Sequence, residues 1–431
     1  MTTTAPTATT APGVTPEQRA RAKRAVIASS VGNVLEWFDI IVYASFAVVI
    51  SKLFFPSADG ITGLLLTFGT FALSYLIRPL GAMVLGSYGD KAGRKKALTV
   101  TILLMTLGTG LMAFAPTAAS IGAWAGLVIL VSRLLQGFSA GGEFGTSTAF
   151  LIEHAPDRKA FYGSWQAATQ GASMFLASAF GFGLNTFLSP SSLESWGWRV
   201  PFVCGMLIGP VGLYIRAKMD ETPEFVETEV IRSPVTRTFT HHLDRVLSAA
   251  GIVGFASISV YLIVYMPTFA VKNLALPSYS GYLGGIIAGL VTLIGAPYVG
   301  KLADRVGCVR VMTVAPVAAM VLGWPLFKFL VGNPSVLSLT VVEVIFGIIL
   351  AIYFGPLPAL LAEMFPTNIR STGMSISYNI GVTVFGGFAP LILTWLIAQT
   401  GSLLAPSYYY IVVAIVSLIG LTVARTRLGH R

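Results

Sequence analysis

Six charged side chains lie clearly inside long apolar stretches, away from their ends: Glu36, Asp39, Arg78, Arg133, Glu143 and Glu343. A charge in hydrocarbon costs several kcal/mol unless it is paired or hydrated, so each is a candidate for function. Asn33, Glu36, Asp39 and Tyr43 recur at helical spacing and share one stripe. A helix starting near residue 26 places Asp39 roughly 20 Å deep, and Arg133 lies about ten residues into its own stretch from the opposite end. An Asp39–Arg133 pair is therefore expected. The carboxylate stays ionised beside the guanidinium and takes a proton when the pair opens in a dry site, which is a minimal proton-coupling device. Glu36 and Glu143 are rival proton sites. Arg78 lies roughly 12 Å from the end of its stretch, where a guanidinium suits bidentate capture of a substrate carboxylate. The plainer alternatives are a static Asp39–Arg133 pair and a structural partner for Arg78 in Glu36 or Glu143.

Hydroxyl and amide stripes support a wet cavity. Gln166, Thr169, Gln170 and Ser173 share one helical face, Ser257, Tyr261, Tyr265 and Thr268 another, and Ser371, Ser375, Tyr378 and Asn379 cluster on a third. Some of these would serve as glue between helices instead. Gly137, Gly141 and Gly145 read as a close-packing face, and Pro356 and Pro358 as a break or kink.

The elements that hold these groups are membrane spans. The chain has 431 residues, 55% hydrophobic and 11% charged, against roughly a quarter charged in an ordinary soluble domain. That excludes a soluble globular enzyme. Twelve apolar stretches are long enough to cross a bilayer: 26–50, 61–86, 97–115, 121–150, 160–186, 199–217, 247–271, 280–300, 309–331, 336–362, 372–398 and 405–425. The first carries Glu36 and Asp39 and is read as a span, not a signal peptide. Of the 28 Lys and Arg residues, 22 fall in the tails and alternate loops of one side, so both termini are expected in the cytoplasm. The net charge of +10 thus follows topology and not a nucleic-acid-binding patch. Cys204 and Cys308 offer no disulfide framework, and no histidine lies within a span, so neither metal nor cofactor is expected. No phosphate-binding loop, HExxH motif or histidine cluster is present, which disfavours direct ATP drive and a membrane enzyme. A non-transporting membrane sensor is the remaining rival class.

The spans repeat. Gly86, Asp90 and Gly93 recur as Gly300, Asp304 and Gly307, offset by 214 residues, and Glu153, Pro156, Gly163 and Gly171 recur as Glu363, Pro366, Gly373 and Gly381, offset by 210. Two matches at similar offsets indicate duplicated six-span halves with a site at their interface. The expected division is a disordered tail 1–24, a first bundle 25–218, a polar linker 219–246 and a second bundle 247–431. In the repeated loops, glycines allow tight turns, and the acid can cap a helix or pair with a base. Gly86, Asp90, Gly93, Arg94, Asp304 and Gly307 are accordingly expected to act as gates.

The loop at 86–96 resembles the signature loop of the major facilitator superfamily. The runs Gly32–Asp39, Arg78–Gly81, Arg133–Glu143 and Glu194–Phe202 are similar to its metabolite:proton symporter family, and 161–170 most resembles the citrate and tricarballylate members. Cys308 departs from that pattern, where the second loop usually carries Arg. The resemblance implies an all-α membrane protein of twelve helices in two pseudo-symmetric six-helix bundles. It implies a monomeric symporter of the inner membrane that imports a citrate-like di- or tricarboxylate with protons. α-Ketoglutarate, proline or betaine are alternative substrates, and sodium is an alternative coupling ion. Arg78, Arg133, Tyr43, Gln136, Gln166, Gln170, Tyr261, Tyr265, Tyr378 and Asn379 are the expected substrate contacts.

Overall fold

A computed structural model describes residues 33–34, 36–57, 59–92, 94–141, 148, 158–217, 238, 240, 242–366, 369–427 and 429. No β-strand occurs among them. In lipid each backbone N–H and C=O must find its partner within the protein, and the helix is the structure that manages this one segment at a time.

Each of the twelve expected stretches is helical over most of its described residues. We number them α1 to α12. In the first half, α1 runs Glu36–Ser45 and bends by 70° into Ala47–Phe54. Next come α2 (Ile61–Leu76 continued by Arg78–Ala92), α3 (Arg94–Ala113), α4 (Trp124–Ala140), α5 (Lys159–Phe187) and α6 (Val200–Ala217). The second half holds α7 (Leu243–Asn273), α8 (Ser280–Val306), α9 (Cys308–Gly332), α10 (Val336–Phe354 continued by Leu357–Met364), α11 (Arg370–Val382 through Ala389–Thr400) and α12 (Ala405–Thr426). Among the described residues, seven helices are long and apolar enough to span by themselves, and the bent α1 pair makes an eighth. Helix α5 is 29 residues long, and its polar stripe is what dilutes its apolar character.

Burial sorts the helices into layers. The most apolar window of α7 is 89% buried, whereas that of α9 is only 33% buried. So α7 runs through the centre, and α9 shows most of its surface to lipid. Three interruptions have local causes. At the α1 bend the Ser45 carbonyl accepts the Tyr282 hydroxyl of α8 at 2.9 Å. In α10, Pro356 and Pro358 stand where the second piece begins, a position that needs no N–H from proline; the expected break is present. In α11 a π-helical turn spans Thr383–Gly387. There Gly386 and Gly387 lie against the rings of Tyr261 and Tyr75.

The halves meet along α5 and α8. Gly171 of α5 lies directly on the α8 backbone at Gly289 and Leu293, and Gly289 lies in turn on the backbone of Phe175. Without side chains at these points the two backbones touch, and dispersion replaces the missing hydrophobic drive between helices in lipid. Gly137 and Gly141 of α4 likewise abut the α2 backbone at Ser74 and Arg78, so the close-packing reading of that stripe holds for its described members. Placing Leu at Gly171 should separate α5 from α8. The expected cost is about 1–3 kcal/mol or more, seen as a lowered melting midpoint in detergent; an unchanged midpoint would contradict this interface.

Candidate functional site

Helices α1 and α4 run antiparallel, and their polar residues match one turn at a time. Asp39 faces Gln136, whose Nε2 donates to Oδ2 at 3.2 Å. One turn along, the Arg133 guanidinium lies over the Tyr43 ring, 4.2 Å from its centroid. This corrects the expected Asp39–Arg133 pair, since no ion pair within 4.0 Å links the two. The reason is register: Asp39 takes its hydrogen bonds from Gln136 and from the Thr109 hydroxyl of α3. Gln136 also donates to Thr109 Oγ1 at 2.9 Å, closing a triangle. The carboxylate and guanidinium still act on each other electrostatically. Asp39 Oδ1 and Arg133 Nε and Nη2 are buried without hydrogen-bond partners.

Arg78 is buried too. Its guanidinium sits 4.0 Å from the centroid of the Tyr75 ring, and its Nε has no hydrogen-bond partner. It interacts electrostatically with Glu36, Tyr261 and Tyr378. The Tyr75 hydroxyl hydrogen-bonds that of Tyr261 across the two halves. A constricted cavity of about 10 Å³, room for little more than one water molecule, lies beside this group, with Trp37, Gln170, Ser257, Tyr261, Phe354 and Tyr378 in its lining. These come from α1, α5, α7, α10 and α11, so the cavity stands at the junction of the halves. Gln170 hydrogen-bonds Tyr378 and keeps its Oε1 buried and unpartnered.

Other expected contacts are hydrogen-bonded within the protein. The Tyr43 hydroxyl bonds Thr67 O at 3.1 Å and Thr70 Oγ1 at 2.6 Å. Gln166 donates to Thr148 at 3.1 Å. The Tyr265 hydroxyl accepts from Thr394 at 3.2 Å, and its ring packs on Phe68. The Asn379 amide donates to the Gly141 and Ser375 carbonyls at 3.1 and 2.9 Å. Glu143 and Gly93 lie outside the described residues. Gly86, Asp90 and Arg94 belong to the helical backbone of α2 and α3, but their surroundings lie outside the description.

Asp304 and Gly307 mark the end of α8. Gly307 has φ +106°, in the region that favours glycine, and stops the helix. Asp304 accepts the backbone N–H groups of Ala160 at 2.8 Å and Phe161 at 3.1 Å. These belong to the first turn of α5, so an acid of one half caps a helix of the other. Lys159 and Glu363 form a second tie between the halves at 3.7 Å.

Sequence reasoning missed Thr109, Tyr75, Trp37 and Phe354. Thr109 carries a legible signal, a hydroxyl between Gly108 and Gly110 in an apolar stretch. The aromatics carry none, because an aromatic in a span is ordinary. Among the described residues no cluster of His, Cys, Asp or Glu could hold a metal ion.

The comparisons agree with this architecture. The family model "Major Facilitator Superfamily" matches residues 30–378 and 290–429. A citrate-proton symporter of Klebsiella pneumoniae is 38% identical over 399 residues, covering 92% of this chain and 90% of that one. A citrate-proton symporter of Salmonella typhi is 33% identical, with 94% of each chain covered. A proline/betaine transporter of Escherichia coli (strain K12) is 34% identical, covering 94% and 84%. Among solved structures, a D-xylose-proton symporter superposes with a TM-score of 0.73 at 16% identity, over 91% of this chain and 96% of that one. The xylose transporter of E. coli in a partially occluded inward-open conformation gives 0.73 at 13%, over 94% and 97%. Those structures speak for the fold alone. With its family model matched along nearly its whole length and its helices in the same arrangement, the chain belongs to the major facilitator superfamily, a family of integral membrane transporters.

Proposed function

We propose that this protein is a secondary symporter that imports a citrate-like di- or tricarboxylate together with protons, by exposing a central site to each side in turn. One observation carries the reading: the buried guanidinium groups of Arg78 and Arg133 hold donors with no hydrogen-bond partner. A buried cation with unmet donors is poised for an anion, and carboxylates fit a guanidinium fork. The similarity to two citrate-proton symporters supports the substrate class. Transport, and not catalysis, is the proposed activity.

In this reading Asp39 carries the proton. Thr109 and Gln136 hold its carboxyl beside the Arg133 stack, so movement of α4 against α1 would change both partners at once. Glu36, within electrostatic reach of Arg78, would move with the substrate charge. Asp304 on the α5 N-terminus, with Lys159–Glu363, forms the gate at one end. The distribution of basic residues assigns that end to the cytoplasm, with both termini beside it. A first bundle at 25–218 and a second at 247–431, joined by 219–246 and acting as a monomer, complete the scheme.

A second reading has its own observation. Trp37, Tyr261 and Tyr378 give the cavity an aromatic lining, and aromatic faces attract methylated ammonium groups. That suits betaine, and the E. coli proline/betaine transporter is a relative.

A counterflow screen on purified protein in proteoliposomes separates the readings, using citrate, α-ketoglutarate, proline and betaine. Citrate should exchange; exchange of betaine or proline alone would favour the zwitterion reading, and no exchange at all would remove both. Arg78→Ala should weaken citrate affinity about tenfold or more, the loss of one charge-assisted contact, and unchanged affinity would remove Arg78 from the site. Asp39→Asn should abolish accumulation driven by a proton gradient while exchange persists, and normal accumulation would place the coupling proton elsewhere.

A further inference from the structure

Glu343 lies in α10, fully buried, and both of its carboxyl oxygens lack a hydrogen-bond partner. It is remote from the site described above. Eleven residues separate it from Phe354 of the cavity lining, roughly 16 Å along the helix. Its carboxyl is pressed against α8 at Gly284, where a side chain would occupy the same space. Four residues further along, Gly347 lies on the α8 backbone at Ala288. The groove between the two helices is thus shaped around this one carboxyl. The neighbouring face of α8, about 100° round the helix, meets the other half, with Gly285 against Ser178 and Gly289 against Phe175. Helix α8 is therefore shared between Glu343 and the moving interface.

Among the described residues no charge compensates Glu343. Helix α10 packs on α5, α7, α8 and α9. Their charged residues stand near the membrane ends: Lys159 on α5; Asp244, Arg245 and Lys272 on α7; Lys301, Asp304 and Arg305 on α8; Arg310 and Lys328 on α9. Lys272 and Lys328, which share the Glu343 end of the bundle, are exposed, and Lys328 lies over Trp324. The hydroxyl of Tyr282, two residues from Gly284, is engaged with the Ser45 carbonyl. A carboxylate without partner or water costs far more than the neutral acid.

We propose that Glu343 is a second proton-binding group of the transport cycle, in the half that lacks Asp39. It holds a proton while α8 and α10 are closed on it. When α8 moves with the α5 interface and water reaches the groove, the O–H bond breaks and the proton passes to that water; the reverse step reloads the carboxyl. Because Gly284 and Tyr282 lie near the start of α8, at the end away from the Asp304 latch, the carboxyl is loaded from the outer side in the proposed orientation, and its proton is given up to water that enters from the cytoplasmic side once that latch has parted. One proton is thereby bound in each half.

The inference rests on the reading of this chain as a proton-coupled symporter, and the test separates the two. Full-length protein in proteoliposomes is supplied with labelled citrate, with a pH-sensitive dye in the lumen. Protons taken up per citrate should fall by one in Glu343→Gln relative to wild type, while citrate counterflow continues. An unchanged ratio overturns the proposal. Infrared spectra of wild type, Glu343→Gln and Glu343→Asp give a readout that needs no substrate. One component of the protonated-carboxyl band of wild type should be lost in the Gln variant and displaced in the Asp variant. If the Gln variant does not fold or transport, the Asp displacement decides, and a spectrum without such a component overturns the assignment. Wild type that moves neither citrate nor protons but shows the component would instead remove the symporter reading.

Discussion

A guanidinium or carboxylate inside a bilayer has no water to turn to, so its surroundings must come from the protein. The arrangement of the central helices follows from meeting that demand. Asp39 is held by two neutral donors, one from α3 and one from α4. Arg78 and Arg133 lie on aromatic faces. A tyrosine ring offers a cation attraction without neutralising it. Neither guanidinium is held in a contact ion pair with Asp39, and in the proposed reading their charge serves an anionic solute. A tight ion pair at each position would have satisfied the same desolvation demand and left nothing to bind with.

The second constraint is that the two halves must hold together and still part. Glycine-lined contact between α5 and α8 gives many small dispersion contacts and few directional bonds. The directional bonds are few and sit at separate depths. Among the described residues they include the Asp304 cap and the Lys159–Glu363 pair at one end, the Tyr75–Tyr261, Thr383–Tyr75 and Asn379–Gly141 contacts between, and the Tyr282–Ser45 bond towards the other end. Each can break without unravelling a helix, because each uses a side chain or a helix-end group. The wide π-turn in α11 brings Gly386 and Gly387 against the same two tyrosines, a kind of local irregularity often found at functional sites.

Much of this was legible in the residues themselves. Long apolar stretches announce helices because lipid leaves the backbone no other economy, and the recurring glycines and Asp in two loops announce the duplication. The Arg78 and Asp39 positions stand out because charge is rare in such stretches. The direct Asp39–Arg133 pairing was wrong for a reason that spacing cannot reveal: whether α1 and α4 meet in one register or a turn away depends on the packing of both against α3. Asn379 and Tyr265 looked like cavity residues, since a polar group on a helix is equally suited to a solute or to a neighbour's backbone. Tyr75 and Trp37 were silent, because aromatic rings in lipid-spanning helices are commonplace and only their convergence gives them meaning.

The bond from Tyr282 to the Ser45 carbonyl has a mechanical consequence. It engages the backbone where α1 turns by 70°, and that helix carries Asp39 and Glu36 less than three turns away. Withdrawing α8 frees the carbonyl for a backbone N–H of its own chain, which favours a straighter α1. Separation of the two halves at that membrane face would thereby reach α1 as a change of helix curvature, a lever whose fulcrum is a single peptide group.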